Sequence, residues 1–148
     1  MDNMPSYKKY YYHINDENIY SRLIDRINIS KSKCIVFLNG EVGAGKTSFV
    51  KSYLSNQEDF KNGATSPTFT IVNEYPSSLI NIYHYDFYRL KNKNELIEIG
   101  IDYYLDQPGI HFIEWPDNFL EYLPKPDINI CFIILAESRL IKVEINDG

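Results

Sequence analysis

At 148 residues the chain is long enough to bury a core and short for an enzyme with a separate substrate domain, so residues 1–148 are read as one domain. Hydrophobic residues make up 44% and aromatic residues 15%, with thirteen tyrosines, which excludes a disordered chain. A net charge of −5 with no Lys/Arg cluster excludes a nucleic-acid grip carried by this chain alone, because neutralising phosphates needs clustered positive charge.

Tyr7 to Ile14 is tyrosine-rich and predicts a short strand. Asn15 and Asp16 suit the N-cap of a helix running to about Asn28, with Ile19, Leu23, Ile24 and Ile27 on one face. A lysine-serine turn, Ser30 to Lys33, leads into the apolar run Cys34 to Leu38, which reads as a buried strand.

That strand opens into Gly40-Glu41-Val42-Gly43-Ala44-Gly45-Lys46-Thr47, which fits G-x-x-x-x-G-K-[ST] at every constrained position. Thr-Ser-Phe-Val-Lys-Ser-Tyr-Leu follows, with Phe49, Val50, Tyr53 and Leu54 at helical spacing to about Asn56. Strand, glycine loop and helix is the context a phosphate-binding loop requires. Backbone N–H groups from Gly40 through Ser48 and the positive end of the helix dipole bind a polyphosphate. The loop glycines let the backbone approach it closely. Lys46 is expected to reach the β- and γ-phosphates, and the Thr47 hydroxyl to ligate Mg²⁺. A nucleoside triphosphate is the expected ligand.

After a polar loop, Gln57 to Ala64, comes Thr65-Ser66-Pro67-Thr68-Phe69-Thr70. Pro67 holds Ser66 extended and stiffens the segment that presents the Ser66 and Thr68 hydroxyls. Phe69 to Tyr75 and Leu79 to Tyr85 read as hairpin strands joined by Pro76-Ser77-Ser78. Period-two alternation puts Ile82, His84 and Asp86 on one face, with Tyr83 and Tyr85 on the other. Asn94 to Ile99 is a short helix stopped by Gly100, and Ile101 to Asp106 a further helical turn ended by Pro108-Gly109. Ile110 to Trp115 is a strand terminating in Glu114, closed by Pro116, and Asp117 to Leu123 is a short helix or turn. Ile128 to Ala136 and Leu140 to Ile145 form a last hairpin around Glu137-Ser138. The fold class is therefore α/β, with a mixed sheet carrying two hairpins and flanked by helices, built on a P-loop NTPase core.

Hydrolysis needs an acid at the end of a neighbouring strand for Mg²⁺ and a group that orients water. Glu114 follows a hydrophobic strand, the layout of an acid that binds the metal. Asp86 has two readings: it holds water or the metal's outer shell, or it caps a helix starting at Phe87. His84 and Asp86 lie two apart on a strand but lack a third metal ligand, which favours a satisfied polar histidine. Arg89 is a candidate γ-phosphate clamp or an ion-pair partner of Asp86 or Glu95. Trp115 falls beside the nucleotide if Glu114 is the metal acid. Asn92-Lys93-Asn94-Glu95 and Asp106-Gln107-Pro108-Gly109 are similar to guanine-nucleotide motifs, but their order and position relative to the strands exclude GTP specificity. Cys34 and Cys131 sit in apolar runs and read as buried thiols. Without a leader, lipidation motif or long apolar segment, a soluble cytoplasmic protein that does not contact membrane is expected.

Gly-Glu-Val-Gly-Ala-Gly-Lys-Thr, Ser-Pro-Thr-Phe-Thr-Ile-Val, Tyr-His-Tyr-Asp-Phe-Tyr-Arg-Leu and Ile-Glu-Trp-Pro, in that order and spacing, resemble the bacterial TsaE (YjeE) family, small ATPases required to make threonylcarbamoyladenosine in tRNA. The resemblance covers roughly Ile14 to Ile145. It implies ATP and Mg²⁺ as ligands, Lys46 on the phosphates, and Thr47 and Glu114 on the metal. It also makes Asp86 catalytic and the Ser66–Thr68 segment a switch-like loop near the γ-phosphate. The adenine side is implied to lie near Asp16, Glu17 and the last hairpin at Ser138. The implied partner is a TsaB–TsaD heterodimer, with tRNA met only through that complex. Lacking an arginine finger, the ATPase is expected to be slow until a partner completes it, a gain of about 10³–10⁵-fold. Ser48, Phe87 and Glu41-Val42 depart mildly from the family pattern. Two other readings remain open on the sequence: a small-molecule P-loop kinase, and a nucleotide-gated binding module without turnover.

Overall fold

The run from Cys34 to Leu38 is buried at every residue, and it forms the middle strand of the sheet. The computed structural model describes residues 7–15, 20–27, 29, 32–57 and 71–146. In chain order the elements are β1 (Tyr7–Ile14), α1 (Tyr20–Ile27), β2 (Lys33–Gly40), α2 (Lys46–Ser55), β3 (Val72–Tyr75) and β4 (Ile82–Asp86). Then come α3 (Lys93–Ile99), α4 (Ile101–Leu105), β5 (Gly109–Glu114), a 3-10 helix (Asp117–Tyr122), β6 (Ile128–Ile134) and β7 (Arg139–Asn146). The seven strands run in the order β1-β7-β6-β2-β5-β4-β3. Pairs β2·β5, β2·β6 and β4·β5 are parallel, whereas β3·β4, β6·β7 and β1·β7 are antiparallel. This is the expected mixed α/β sheet with two hairpins.

Alternation along the central strands sends side chains into two cores. Cys34, Val36 and Leu38 of β2 join Ile110 and Phe112 of β5 under Leu23, Ile24 and Ile27 of α1 and Phe49, Val50 and Leu54 of α2. Ile35 and Phe37 face the other way with Tyr83, Tyr85 and Ile113, beneath Leu96 of α3, Ile101 and Leu105 of α4, and Phe119. Helices thus cover both faces of the parallel strands, as such strands require.

Three boundaries differ from the sequence reading. β4 begins at Ile82 rather than Leu79 because side chains close a longer turn before it: Asn81 Oδ1 accepts from Ser77 N (3.1 Å) and Ser77 Oγ from Leu79 N (3.2 Å). β6 ends at Ile134, where the chain turns: Leu135 N donates to Ser138 O (3.0 Å), the next pair in register after Ile134↔Arg139, and closes the hairpin. No helix starts at Phe87. A turn stands there, and Asp86 Oδ1 accepts from Tyr88 N at 3.0 Å. The predicted strand residues Phe69 and Thr70, like Asp16, Glu17, Ile19 and the Thr65–Thr68 segment, lie outside the described residues. Among the described residues no helix is long and apolar enough to cross a membrane.

β5 also buries His111 completely. Tyr85 Oη donates to His111 Nδ1 (2.7 Å), His111 Nε2 donates to Gln107 O (2.9 Å), and the Tyr83 ring stacks on the imidazole at 4.6 Å. Burial lowers the His111 pKa, with the Gln107 carbonyl opposing it. The folded chain therefore holds His111 neutral where the unfolded chain takes up a proton. Stability on this account is full above the ordinary imidazole value of about 6.5 and declines as pH falls below it. Urea midpoints measured from pH 7.5 to 5 should fall less steeply for His111→Asn than for the wild type.

Candidate functional site

The parallel strands bring their carboxyl ends together, where α/β sheets bind ligands. Leu38 of β2 and Asp86 of β4 both pair with Glu114, the last residue of β5. The chain leaves β2 at Gly40, turns through Glu41–Gly45 and enters α2 at Lys46. Gly45 has φ +112°, and a Cβ on it would collide with the Tyr20 hydroxyl, so both conformation and space require glycine here. No side chain caps the start of α2, and its first turn carries no acid. Its N–H groups are thus available to an anion.

A cleft of about 430 Å³ opens over this loop. Val42, Gly43, Ala44, Gly45, Lys46, Thr47 and Ser48 line its floor, Asp86, Tyr88, Glu114 and Trp115 one wall, and Ile14, Asn15, Tyr20 and the Glu137–Arg139 hairpin tip the other. Gly40 and Glu41 contribute to it indirectly: the Lys46 ammonium donates to the Gly40 carbonyl and to Glu41 O (3.2 Å). The same Nζ lies 3.7 Å from the centroid of the Trp115 ring, a cation–π contact. Burial pulls the Lys46 pKa below the ordinary lysine value, and the carboxylates of Glu114 and Asp86 offset part of that shift.

Glu114 is 3% exposed. Thr47 Oγ1 stands 3.1 Å from both of its carboxylate oxygens, and His84 Nε2 bonds Oε2. The hydroxyl and acid separated by 67 residues in sequence therefore meet. Among the described residues no group of three or more His, Cys, Asp or Glu forms a metal cage. One hydroxyl and one carboxylate are instead the oxygen donors that suit Mg²⁺, which completes its shell with phosphate oxygens and waters. The buried charge facing a hydroxyl fits such an ion.

A family model, "Threonylcarbamoyl adenosine biosynthesis protein TsaE", matches residues 14–141. The chain belongs to the TsaE family. It is 36% identical over 109 residues to the "tRNA threonylcarbamoyladenosine biosynthesis protein TsaE" of Rickettsia felis, covering 74% of this chain and 63% of that one, so the match spans somewhat less than two thirds of the relative. The Haemophilus influenzae protein of the same name is 32% identical over 124 residues, 84% of this chain and 77% of its own length. The crystal structure of Bacillus subtilis YdiB superposes with a TM-score of 0.70 at 25% identity, covering 98% of this chain and 89% of that chain. The fold is that of a P-loop NTPase.

Residues 42–48 of the glycine loop, Asp86 and Glu114 thus converge on one cleft, and Thr68 lies outside the described residues. His84 is satisfied, as expected, and its partner is Glu114. Arg89 is exposed and does not line the cleft. Arg139 does, with Nη2 3.5 Å from Gly43 O. Nothing local marks Arg139 in the sequence, because the β6–β7 hairpin carries it there. The Asn92 of the rejected guanine motif caps α3, accepting from Asn94 N and Glu95 N.

Proposed function

We propose that this chain is a Mg²⁺-dependent ATPase that supports threonylcarbamoyladenosine modification of tRNA and acts with a TsaB–TsaD pair. One observation carries the reading: in a TsaE-family chain, the Gly40–Thr47 loop, Lys46 and the Thr47–Glu114 pair face a single cleft. On this reading Lys46 leaves the Gly40 and Glu41 carbonyls for the β- and γ-phosphates, exchanging neutral acceptors for charged ones. The loop N–H groups hold the β-phosphate. Thr47 and Glu114 would hold Mg²⁺, which would supply positive charge against the phosphoryl group. Asp86, at the cleft wall with one oxygen committed to Tyr88 N, offers its other oxygen to orient the attacking water. The side of the cleft formed by Asn15, Tyr20 and Ser138 receives the base.

The tRNA role is supported by the names of the relatives, and the partnership by the family resemblance. The net charge of −5 fits a chain that leaves the RNA to its partners. Phosphate release from Mg-ATP, measured with the chain alone and with the TsaB–TsaD pair of its own organism, tests the proposal. A slow basal rate should rise sharply with the pair. A rate indifferent to the pair and dependent on a metabolite that becomes phosphorylated would overturn it. In the same assay Asp86→Asn should lower turnover about 10²-fold while leaving ATP affinity within a few-fold.

A further inference from the structure

His84 takes no part in the chemistry just described, yet it is one of four buried polar or charged side chains among the described residues, with Lys46, Glu114 and His111. It lies on β4, where it pairs with Phe112, two residues before Asp86 pairs with Glu114. From there its imidazole reaches diagonally to the end of β5, and Nε2 bonds Glu114 Oε2. An ionised carboxylate only accepts, so Nε2 carries the hydrogen and donates it. The other anchor is the Thr47 hydroxyl, shared between the two carboxylate oxygens at 3.1 Å each, so it does not by itself select a rotation. The terminal torsion of a glutamate is broad. A second donor fixed on a neighbouring strand removes that freedom.

We propose that His84 is a positioning residue: it holds the Glu114 carboxylate in the one orientation in which an oxygen faces the cleft beside Thr47. The inference deepens the Mg²⁺ reading of the site and rests on it. Groups that orient a metal-binding carboxylate from behind change metal affinity by about 10–100-fold when removed. A residue that only filled space would act on stability and leave metal coupling alone.

Trp115 is the single tryptophan and lies against Lys46, so its fluorescence reports a nucleotide entering the cleft. A non-hydrolysable ATP analogue is titrated into the chain in EDTA and in saturating Mg²⁺, and the Mg²⁺ concentration giving half the effect is recorded. Two variants separate position from bulk. The amide of His84→Gln places a donor near the site of Nε2, whereas that of His84→Asn stops short of Glu114. His84→Asn should need at least about 10-fold more Mg²⁺ with its affinity in EDTA unchanged, and His84→Gln should recover most of the loss. His84→Asn with wild-type Mg²⁺ dependence, or His84→Gln no better than His84→Asn, would overturn the inference alone. A wild-type chain on which Mg²⁺ has no effect would take down the metal reading and this inference together.

Discussion

Lys46→Ala should lower the proposed ATP hydrolysis about 10²–10³-fold, the cost of deleting one preorganised charge-stabilising donor. The ammonium bonds the Gly40 and Glu41 carbonyls of the glycine loop, and the Trp115 ring holds it at the cleft floor. Its desolvation makes it a strong partner for an arriving phosphate, because charge interactions gain strength where water is excluded. Steady-state phosphate release, compared with circular dichroism to establish that Lys46→Ala is folded, measures the loss. A folded Lys46→Ala chain with undiminished turnover would remove the phosphate-loop assignment.

Glu114→Gln should have an effect of similar size by a different route. Glutamine keeps the shape and leaves Thr47 an oxygen acceptor, but it takes away the charge that attracts the metal. Turnover at fixed ATP should fall about 10²-fold, with the Mg²⁺ optimum moved to higher concentration, while nucleotide affinity in EDTA stays the same or improves as a negative charge leaves the phosphate site. The measurement is a Mg²⁺ titration of ATP hydrolysis and of nucleotide binding. A Glu114→Gln chain with a normal Mg²⁺ requirement would exclude the carboxylate from the metal.

The parts of this site that lie within one local segment were legible in the sequence. The loop is contiguous, its glycines and Lys46 stand at required spacings, and the strand before and helix after it follow from an apolar run and a 3.6-residue period. Glu114 was legible as an acid ending a buried strand. What lay outside local reading depends on pairings between distant strands. β1 pairs with β7 from Tyr7↔Asn146 to Ile14↔Arg139, and this pairing, not any motif, brings Ile14, Asn15 and Arg139 to the cleft. The donation of His84 to Glu114 likewise depends on β4 and β5 being parallel neighbours in a particular register. Asp86 shows why its two readings stayed open: it lines the cleft and also accepts from Tyr88 N, closing a turn where the sequence suggested a helix. Leu79 to Asn81 is read as strand from its apolar run, but the Ser77 hydroxyl takes Leu79 N and the Asn81 side chain takes Ser77 N, so a turn forms there.

This cleft is proposed to hold a nucleoside triphosphate with Mg²⁺, and a crystal structure of the wild-type chain with Mg²⁺ and a non-hydrolysable ATP analogue is the decisive experiment. The β- and γ-phosphates should be seated in the Gly40–Thr47 loop, with Lys46 Nζ turned from the Gly40 and Glu41 carbonyls onto them and the metal between Thr47 and Glu114. A nucleotide bound elsewhere, or bound in the cleft with Lys46 still on those carbonyls and no metal beside Glu114, would contradict it.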